Sequence, residues 1–203
     1  MNRELKIGIT GGIGSGKSYV CKLLHARGIT VYDCDAAAKR LMRTSPALQQ
    51  QLCDLIGSDT YLPDGTLNKA LVARFLLASE QNAKSIDAIV HPAVFADFAT
   101  SGINWMESAI LFESGASQLV DRVVVVTAPE DVRIRRVMQR DGITAEKARE
   151  WMAKQWAQEE VRRRAHYEIV NDGLQDLNSQ IDSLLTQLYP SPITPENSKQ
   201  LQE

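Results

Sequence analysis

Short apolar runs alternate with longer stretches of amphipathic pattern along this chain. The first run, residues 5–10, is rich in β-branched side chains and is typical of a buried strand. Similar runs predict four more strands, at 29–33, 108–112, 122–128 and 168–170. The run at 122–128 is apolar without alternation, as in a parallel strand that is covered on both faces. The pattern therefore predicts an α/β fold around a parallel sheet.

A long helical stretch separates the second and third predicted strands. A minimal crossover needs about a dozen residues, whereas helical spacing here extends over residues 36–101. Ser45 and Pro46 mark the start of one helix, and Gly57 marks its end. The other predicted features are a turn at 63–65, helices at 67–77 and 85–90, a break at His91–Pro92 and a helix reaching Thr100. Such an insertion favours an acceptor-binding module, with a plain helical scaffold as the alternative.

The turn after the first strand carries the most specific motif. Residues 11–18 fit G-x-x-x-x-G-K-[ST] between a predicted strand and a predicted helix, with Lys17 and Ser18 at its end. Glycines let successive N–H groups point into one concavity, and the helix N-terminus adds partial positive charge. Lys17 supplies a full charge for phosphates, and the Ser18 hydroxyl is a ligand suited to Mg²⁺. The motif predicts a nucleoside triphosphate site and leaves the fate of the γ-phosphate open.

Acidic residues follow two of the predicted strands. Asp33 ends the second strand, Asp35 follows it, and Glu113 ends the third. Ligands of open parallel sheets bind at the carboxyl ends of the strands, so Asp33 can accept a proton from an attacking hydroxyl, hold a metal through water, or cap the next helix. Asp35 is a cap or a site residue. Glu113 resembles a second acidic box, and it can instead orient an acceptor or cap a helix.

Basic residues concentrate after the fourth predicted strand. Arg133, Arg136 and Arg140 lie on one helical face, and further Arg and Lys residues follow up to 164. This segment is expected to close as a lid over the nucleotide, and a solvated helical hairpin is the alternative. Arg140 is the best candidate because a turn follows it directly. Asn171, at the end of the fifth strand, can read an adenine edge or serve the turn.

Composition narrows the classes of partner. The chain has 203 residues, of which 44% are hydrophobic, and a formal net charge of −2, so no global basic field points to nucleic acid or an anionic membrane. Its three cysteines lack metal-ligand spacing and fit a reducing cytoplasm. No signal-peptide pattern and no apolar run of about 18 residues is present. Residues 190–203 are rich in Pro, Ser, Asn and Gln, which predicts a disordered tail.

Several motifs in order resemble the dephospho-CoA kinase family over about residues 5–188. They are ITGGIGSGKS, DCDAAAKRL, DGTLNKALVARFL, His91-Pro92, ILFE, VMQRDGIT and YEIVNDG. The resemblance implies a P-loop NTPase three-layer fold with a five-stranded parallel sheet in the order 2-3-1-4-5. It also implies a nucleotide-binding core (1–35, 102–137 and 167–189), a helical CoA-binding insertion (36–101) and a helical lid (138–166).

The resemblance also implies a reaction, in which the ATP γ-phosphoryl group passes to the ribose 3′-hydroxyl of dephospho-CoA. ATP is then a co-substrate, Mg²⁺ binds at Ser18, and the partners are small molecules only, bound by a monomer or weak homo-oligomer. Expected catalytic residues are Lys17, Asp33 and Arg140. The expected ATP-binding residues are Gly12, Ile13, Gly14, Ser15, Gly16, Lys17, Ser18, Tyr19 and Asn171. The expected acceptor-binding residues are Asp33, Asp35, His91 and Glu113.

Some positions depart from the family pattern. Tyr19 replaces a small hydroxyl residue, residues 108–111 lack a usual proline, His166 replaces an Asp, and Trp151 replaces a polar or basic side chain. The nearest alternative function is another small-molecule kinase, acting on shikimate, a nucleoside or a nucleoside monophosphate. A GTP-binding switch would need an Asn-Lys-x-Asp motif, which the sequence lacks. A nucleotide-binding module without catalysis is the third alternative, and Lys17 and Asp33 argue against it.

Overall fold

The fold is built on one parallel sheet of five strands. The computed structural model describes residues 5–190. The strands are β1 (Ile7–Thr10), β2 (Val31–Asp33), β3 (Trp105–Glu107), β4 (Arg122–Thr127) and β5 (Tyr167–Val170). Their order across the sheet is β2-β3-β1-β4-β5, and all the pairs are parallel. This confirms the predicted fold class and sheet order.

Helices cover both faces of the sheet. Within the described residues they are α1 (Lys17–His25), α2 (Cys34–Thr44), α3 (Pro46–Ile56), α4 (Lys69–Ala78), α5 (Glu80–Thr100), α6 (Glu130–Asp141), α7 (Ala145–Met152), α8 (Gln158–Arg164) and α9 (Leu177–Leu188). The predicted start at Ser45 is confirmed, because its hydroxyl accepts a hydrogen bond from the backbone N–H three residues later. Thr144 caps the start of α7 in the same way.

Two buried clusters hold these layers together. On one face Phe98, Met106 and Leu111 pack with the helices that follow β2. On the other face Val20 and Ile181 join α1 and α9 to the sheet. Every residue of β1 and β4 is buried except the first residue of β4. The apolar runs without alternation are therefore explained by burial on both faces.

The third strand lies earlier in the chain than its predicted position at 108–112. Trp105–Glu107 forms β3, and residues 109–114 form turns. Leu111 is fully buried in this turn segment, so its apolar character reflects core packing rather than a strand. The acid at the end of β3 is consequently Glu107, and Glu113 lies in the loop that follows.

A second correction concerns the predicted break at His91–Pro92. One continuous helix, α5, spans the position. An interior proline costs about 3 kcal/mol, yet Ile86, Val90, Val94 and Phe98 form a buried stripe that continues past it. Burial of side chains of this size contributes about 1.5–3 kcal/mol each, so packing outweighs the lost hydrogen bond.

Two predictions about other regions have different outcomes. Within residues 5–190, no helix has the length and apolar character needed to cross a bilayer. The predicted disordered tail at 190–203 lies outside the described residues except for Pro190.

Candidate active site

The glycine-rich loop joins the end of β1 to the start of α1. Gly14 and Gly16 adopt φ angles of 79° and 89°, a region that side chains with a Cβ rarely occupy. A Cβ added at Gly16 would lie 2.0 Å from Asn171 Nδ2. The backbone geometry and the close packing both require glycine at position 16.

The N-terminus of α1 is suited to an anion. Its N-cap, Gly16, offers no side-chain cap, and its first turn contains no acidic residue. Its first N–H groups and its dipole therefore favour negative charge from outside the chain. Lys17 stands in this turn, and its Nζ lies 3.0 Å from Oε1 of Glu107. Both side chains are largely buried, so the acid at the end of β3 holds the lysine over the cleft.

Asn171 and Arg136 support the loop through its carbonyl groups. Asn171 Nδ2 donates to the Ser15 carbonyl at 2.9 Å, and its Oδ1 accepts from Arg136 Nη2 at 3.2 Å. Arg136 Nη1 also donates to the Asn171 carbonyl at 3.0 Å. The Asn171 side chain is buried and committed to these partners. It braces the phosphate loop, a function that neither sequence interpretation had anticipated, and its contact with adenine stays a prediction.

Arg133 adds a second buried cation beneath the loop. Its Nε donates to the Ile13 carbonyl at 2.9 Å, and burial lowers the pKa of its guanidinium. Among residues 5–190, no carboxylate lies within ion-pair distance of Arg133 or Arg136. Arg136 borders the cleft over the loop, so its charge can act on whatever occupies that cleft.

A cleft of about 490 Å³ lies over the loop. Its walls are residues 12–18 together with Asp35, Glu107, Ala109, Arg136, Val137, Arg140 and Gln155. Arg140 donates to both carboxylate oxygens of Asp141. These bonds raise the pKa of Arg140 and lower that of Asp141. The structure thus brings three residues with predicted site roles, Lys17, Asp35 and Arg140, to one cavity.

Asp33 and Asp35 have different surroundings. Asp33 is the N-cap of α2, and its Oδ1 accepts from Ala36 N at 2.9 Å. Asp35 lies in the first turn of the same helix and borders the cleft as well as a second cavity. The cap contact of Asp33 uses one carboxylate oxygen, so a role for the other oxygen in the reaction stays a prediction.

The second cavity has a volume of about 340 Å³ and lies on the insertion side of Asp35. Its lining is mostly apolar and comes from α2, α4, α5 and the segment 108–116. His91 borders this cavity from within α5, where its Nε2 lies 3.6 Å from Asp87 Oδ1. It therefore does not end a helix, and it remains available to an acceptor.

Glu113 and Tyr19 lie away from the cleft. Glu113 Oε1 accepts a hydrogen bond from Trp156 N at 3.1 Å, which ties the segment after α7 to the loop after β3. Tyr19 is 55% exposed, and its backbone N–H donates to the Gly16 carbonyl at 3.0 Å. The backbone amide of Tyr19 is thus engaged at the start of α1, and its expected contact with ATP stays a prediction.

Sequence reasoning missed two residues of the site. The sequence analysis did not assign Glu107 to the site, because it placed the third strand after this residue, at 108–112. Gln155 contacts Ile13, which lies 142 positions away, and no local pattern indicates such a contact. The sequence analysis identified Arg136 only as part of a basic helical face. Its position on the same face as Arg140 was the sequence signal that could have assigned it to the site.

The sheet order, the phosphate loop and the basic segment beside it define a P-loop protein of the small-molecule kinase type. A family model described as Dephospho-CoA kinase matches residues 5–176. The chain belongs to the dephospho-CoA kinase family.

Relatives and solved structures agree with this assignment. A dephospho-CoA kinase of Bacteroides fragilis is 41% identical over 91% of this chain and 93% of its own length. The enzyme of that name from Porphyromonas gingivalis is 45% identical over 74% of this chain and 77% of its own. A Thermus thermophilus crystal structure matches with a TM-score of 0.78 at 30% identity, covering 92% of this chain and 99% of that one. A shikimate kinase from Acinetobacter baumannii, with a TM-score of 0.53 at 14% identity over 94% of this chain and 96% of that one, shares the fold alone.

Proposed function

We propose that this protein transfers the γ-phosphoryl group of ATP to the ribose 3′-hydroxyl of dephospho-CoA, giving CoA and ADP. The observation that carries the proposal is the family match over residues 5–176. The phosphate loop with Lys17 and Ser18 supports it, because these residues stand in one cleft with acidic and cationic side chains. Phosphoryl transfer of this kind needs positioning and charge stabilisation more than covalent chemistry.

The residues of the cleft fit the triphosphate of ATP. The uncapped N-terminus of α1 and the Lys17 ammonium offer donors to phosphate oxygens. Arg136 and Arg140 border the same space and add charge that favours the transferring group. Residues 138–166 act as the lid, which excludes water as a competing acceptor.

The donor set also fits Mg²⁺. Within the described residues no cluster of three or more His, Cys, Asp or Glu side chains forms a metal cage. Mg²⁺ usually takes one or two protein oxygens and completes its shell with phosphates and water. Ser18 is the residue that would hold it, with Asp35 and Glu107 bordering the same cleft. When bound, the ion neutralises charge on the β- and γ-phosphates.

The second cavity is the place for the acceptor. It shares Asp35 with the nucleotide cleft, and its apolar walls suit the long neutral arm of dephospho-CoA. His91 faces it and can meet an acceptor phosphate. Asp33, at the end of β2, aligns the attacking hydroxyl or accepts its proton. The insertion at 36–101 thereby serves acceptor binding.

The free cysteines bear on the cellular compartment of the protein. All three cysteines are free thiols, which suits a reducing cytoplasm. We expect a monomer or weak homo-oligomer that binds small molecules only.

An acceptor panel tests the proposal. ADP release is measured with ATP and Mg²⁺ against dephospho-CoA, shikimate, adenosine, AMP, CMP and no acceptor. The proposal predicts fast release with dephospho-CoA alone. Fast release with another acceptor would keep the kinase and remove this substrate, whereas equal release without acceptor would indicate a hydrolase.

A further inference from the structure

Gln155 connects three parts of the site that are far apart in sequence. Its Oε1 accepts a hydrogen bond from the backbone N–H of Ile13, in the phosphate loop, at 2.7 Å. Its Nε2 donates to the carbonyl of Ala109, in the loop after β3, at 3.3 Å. Gln155 itself follows α7, at the return of the lid, and borders the nucleotide cleft. Both ends of one planar amide are therefore used, each on a different segment.

The neighbouring residue strengthens the same junction. Trp156 N donates to Glu113, and the Trp156 ring lies parallel to that of Phe112 with centroids 6.1 Å apart. The guanidinium of Arg164 lies over the Trp156 ring, 4.7 Å from its centre. These contacts join the segment after α7 to the loop after β3. Among the residues that make them, Gln155 alone also contacts the phosphate loop.

We propose that Gln155 is a positioning residue, which sets the lid and the loop after β3 in register with the phosphate loop for phosphoryl transfer. The proposal rests on the proposed kinase function. A backbone N–H that loses its only side-chain partner inside a cleft must find water or leave its position. Loss of the amide should therefore admit water and shift the loop, and errors of about 1 Å can cost roughly 100-fold in rate.

Matched glutamines make the test specific. Gln155→Met removes both hydrogen bonds and keeps the length and volume of the side chain. Gln180→Met is the control, because Gln180 makes the same pair of bonds to the backbone of Val170, outside the lid and without bordering the nucleotide cleft. Gln155→Glu keeps an acceptor for Ile13 and loses the donor to Ala109.

Two readouts separate positioning from a loss of folding. The first is the ratio of ATP hydrolysis without acceptor to transfer with dephospho-CoA, together with kcat and KM. In Gln155→Met we expect kcat for transfer to fall about tenfold or more and the hydrolysis ratio to rise several-fold. The Gln180→Met variant should retain the parental ratio. The second readout is amide hydrogen exchange of Ile13, which should accelerate in Gln155→Met only.

The outcomes are distinguishable. A parental ratio and parental Ile13 exchange in Gln155→Met would overturn the proposal, as would equal losses in Gln155→Met and Gln180→Met. Tighter ATP binding with unimpaired transfer would also overturn it, since Gln155 would then merely occupy a phosphate position. If the parent itself fails to phosphorylate dephospho-CoA, the proposed function falls, and exchange at Ile13 still tests the Gln155 contact.

Discussion

Lys17 and Glu107 form an ion pair of 3.0 Å across the carboxyl edge of the sheet. Their strands are adjacent, with Ile9 of β1 paired to Glu107 of β3. On its other side Glu107 is paired in register with Asp33 of β2. The ends of three adjacent strands therefore bring the phosphate loop and two carboxylates together at the carboxyl edge of the sheet. The proposed reaction takes place there.

Removal of the Lys17 ammonium should slow transfer strongly. Lys17→Ala is expected to lower kcat by roughly 10²–10³-fold, as for the loss of one donor that stabilises developing charge. Steady-state kinetics with ATP and dephospho-CoA measures this effect. Lys22→Ala, an exposed change in the same helix, is the control. An undiminished rate in Lys17→Ala would contradict the assignment of the phosphate loop.

The acid at the end of β3 should matter more than the acid predicted from sequence. Glu107→Gln removes the partner of Lys17 and a carboxylate that borders the cleft. We expect kcat to fall about tenfold or more and the Mg²⁺ concentration for half-maximal rate to rise. Glu113→Gln, at a residue that contacts only the Trp156 amide among the described polar contacts, should have the smaller effect. The reverse order would restore Glu113 as the acidic box.

The brace beneath the loop should respond to an isosteric change. In Asn171→Asp a carboxylate replaces the donor that lies 2.9 Å from the Ser15 carbonyl. Two oxygens then face each other in a buried place, at a cost of about 1–3 kcal/mol. Urea unfolding should show this loss, and KM for ATP should rise several-fold. Asn178→Asp on α9, where the exposed side chain accepts from Arg27, should change neither quantity. Parental stability of Asn171→Asp would show that the brace is unimportant.

Two thiols should be inert despite their closeness to the site. Burial, followed by the charge of Glu107, raises the pKa of Cys21 to about 12. Burial, followed by Asp35, raises the pKa of Cys34 to about 12. Both stay protonated as pH rises from 7 to 9, and the thiolate is the reactive form. Timed alkylation with mass mapping should label half-buried Cys53 first. Rapid labelling of Cys21 or Cys34 in the folded protein would contradict the burial of these thiols.

Alkaline pH should reduce stability through the same two groups. Above about pH 8.5 the thiols ionise in the unfolded chain, while the folded protein keeps them protonated. The unfolded state then binds fewer protons, so the free energy of unfolding falls as pH rises toward 12. Urea midpoints of the parent should fall more steeply above pH 9 than those of Cys21→Ala. Parallel curves would contradict the raised pKa.

Local signals explain why much of the fold was predictable. The phosphate loop follows a buried strand and precedes a helix, and its motif fixes Lys17 and Ser18 in sequence. Helix starts such as Ser45 and Thr144 carry their own capping chemistry. The order of the strands came from the family resemblance rather than from the apolar pattern.

The remaining features depend on contacts between distant residues. An apolar run at 108–112 serves the core equally well as a turn, because Leu111 is buried there, and periodicity does not separate the two. Pro92 was tolerated because packing along α5 outweighs one lost hydrogen bond. Glu107 with Lys17 and Gln155 with Ile13 meet only in the folded chain.

The most direct test of the proposed function is to identify the product of ATP and dephospho-CoA by phosphorus NMR. We predict a new 3′-phosphate monoester on the ribose, formed one-for-one with ADP, and its near-complete loss in Asp33→Asn. ADP accompanied by inorganic phosphate, with dephospho-CoA unchanged, would contradict it.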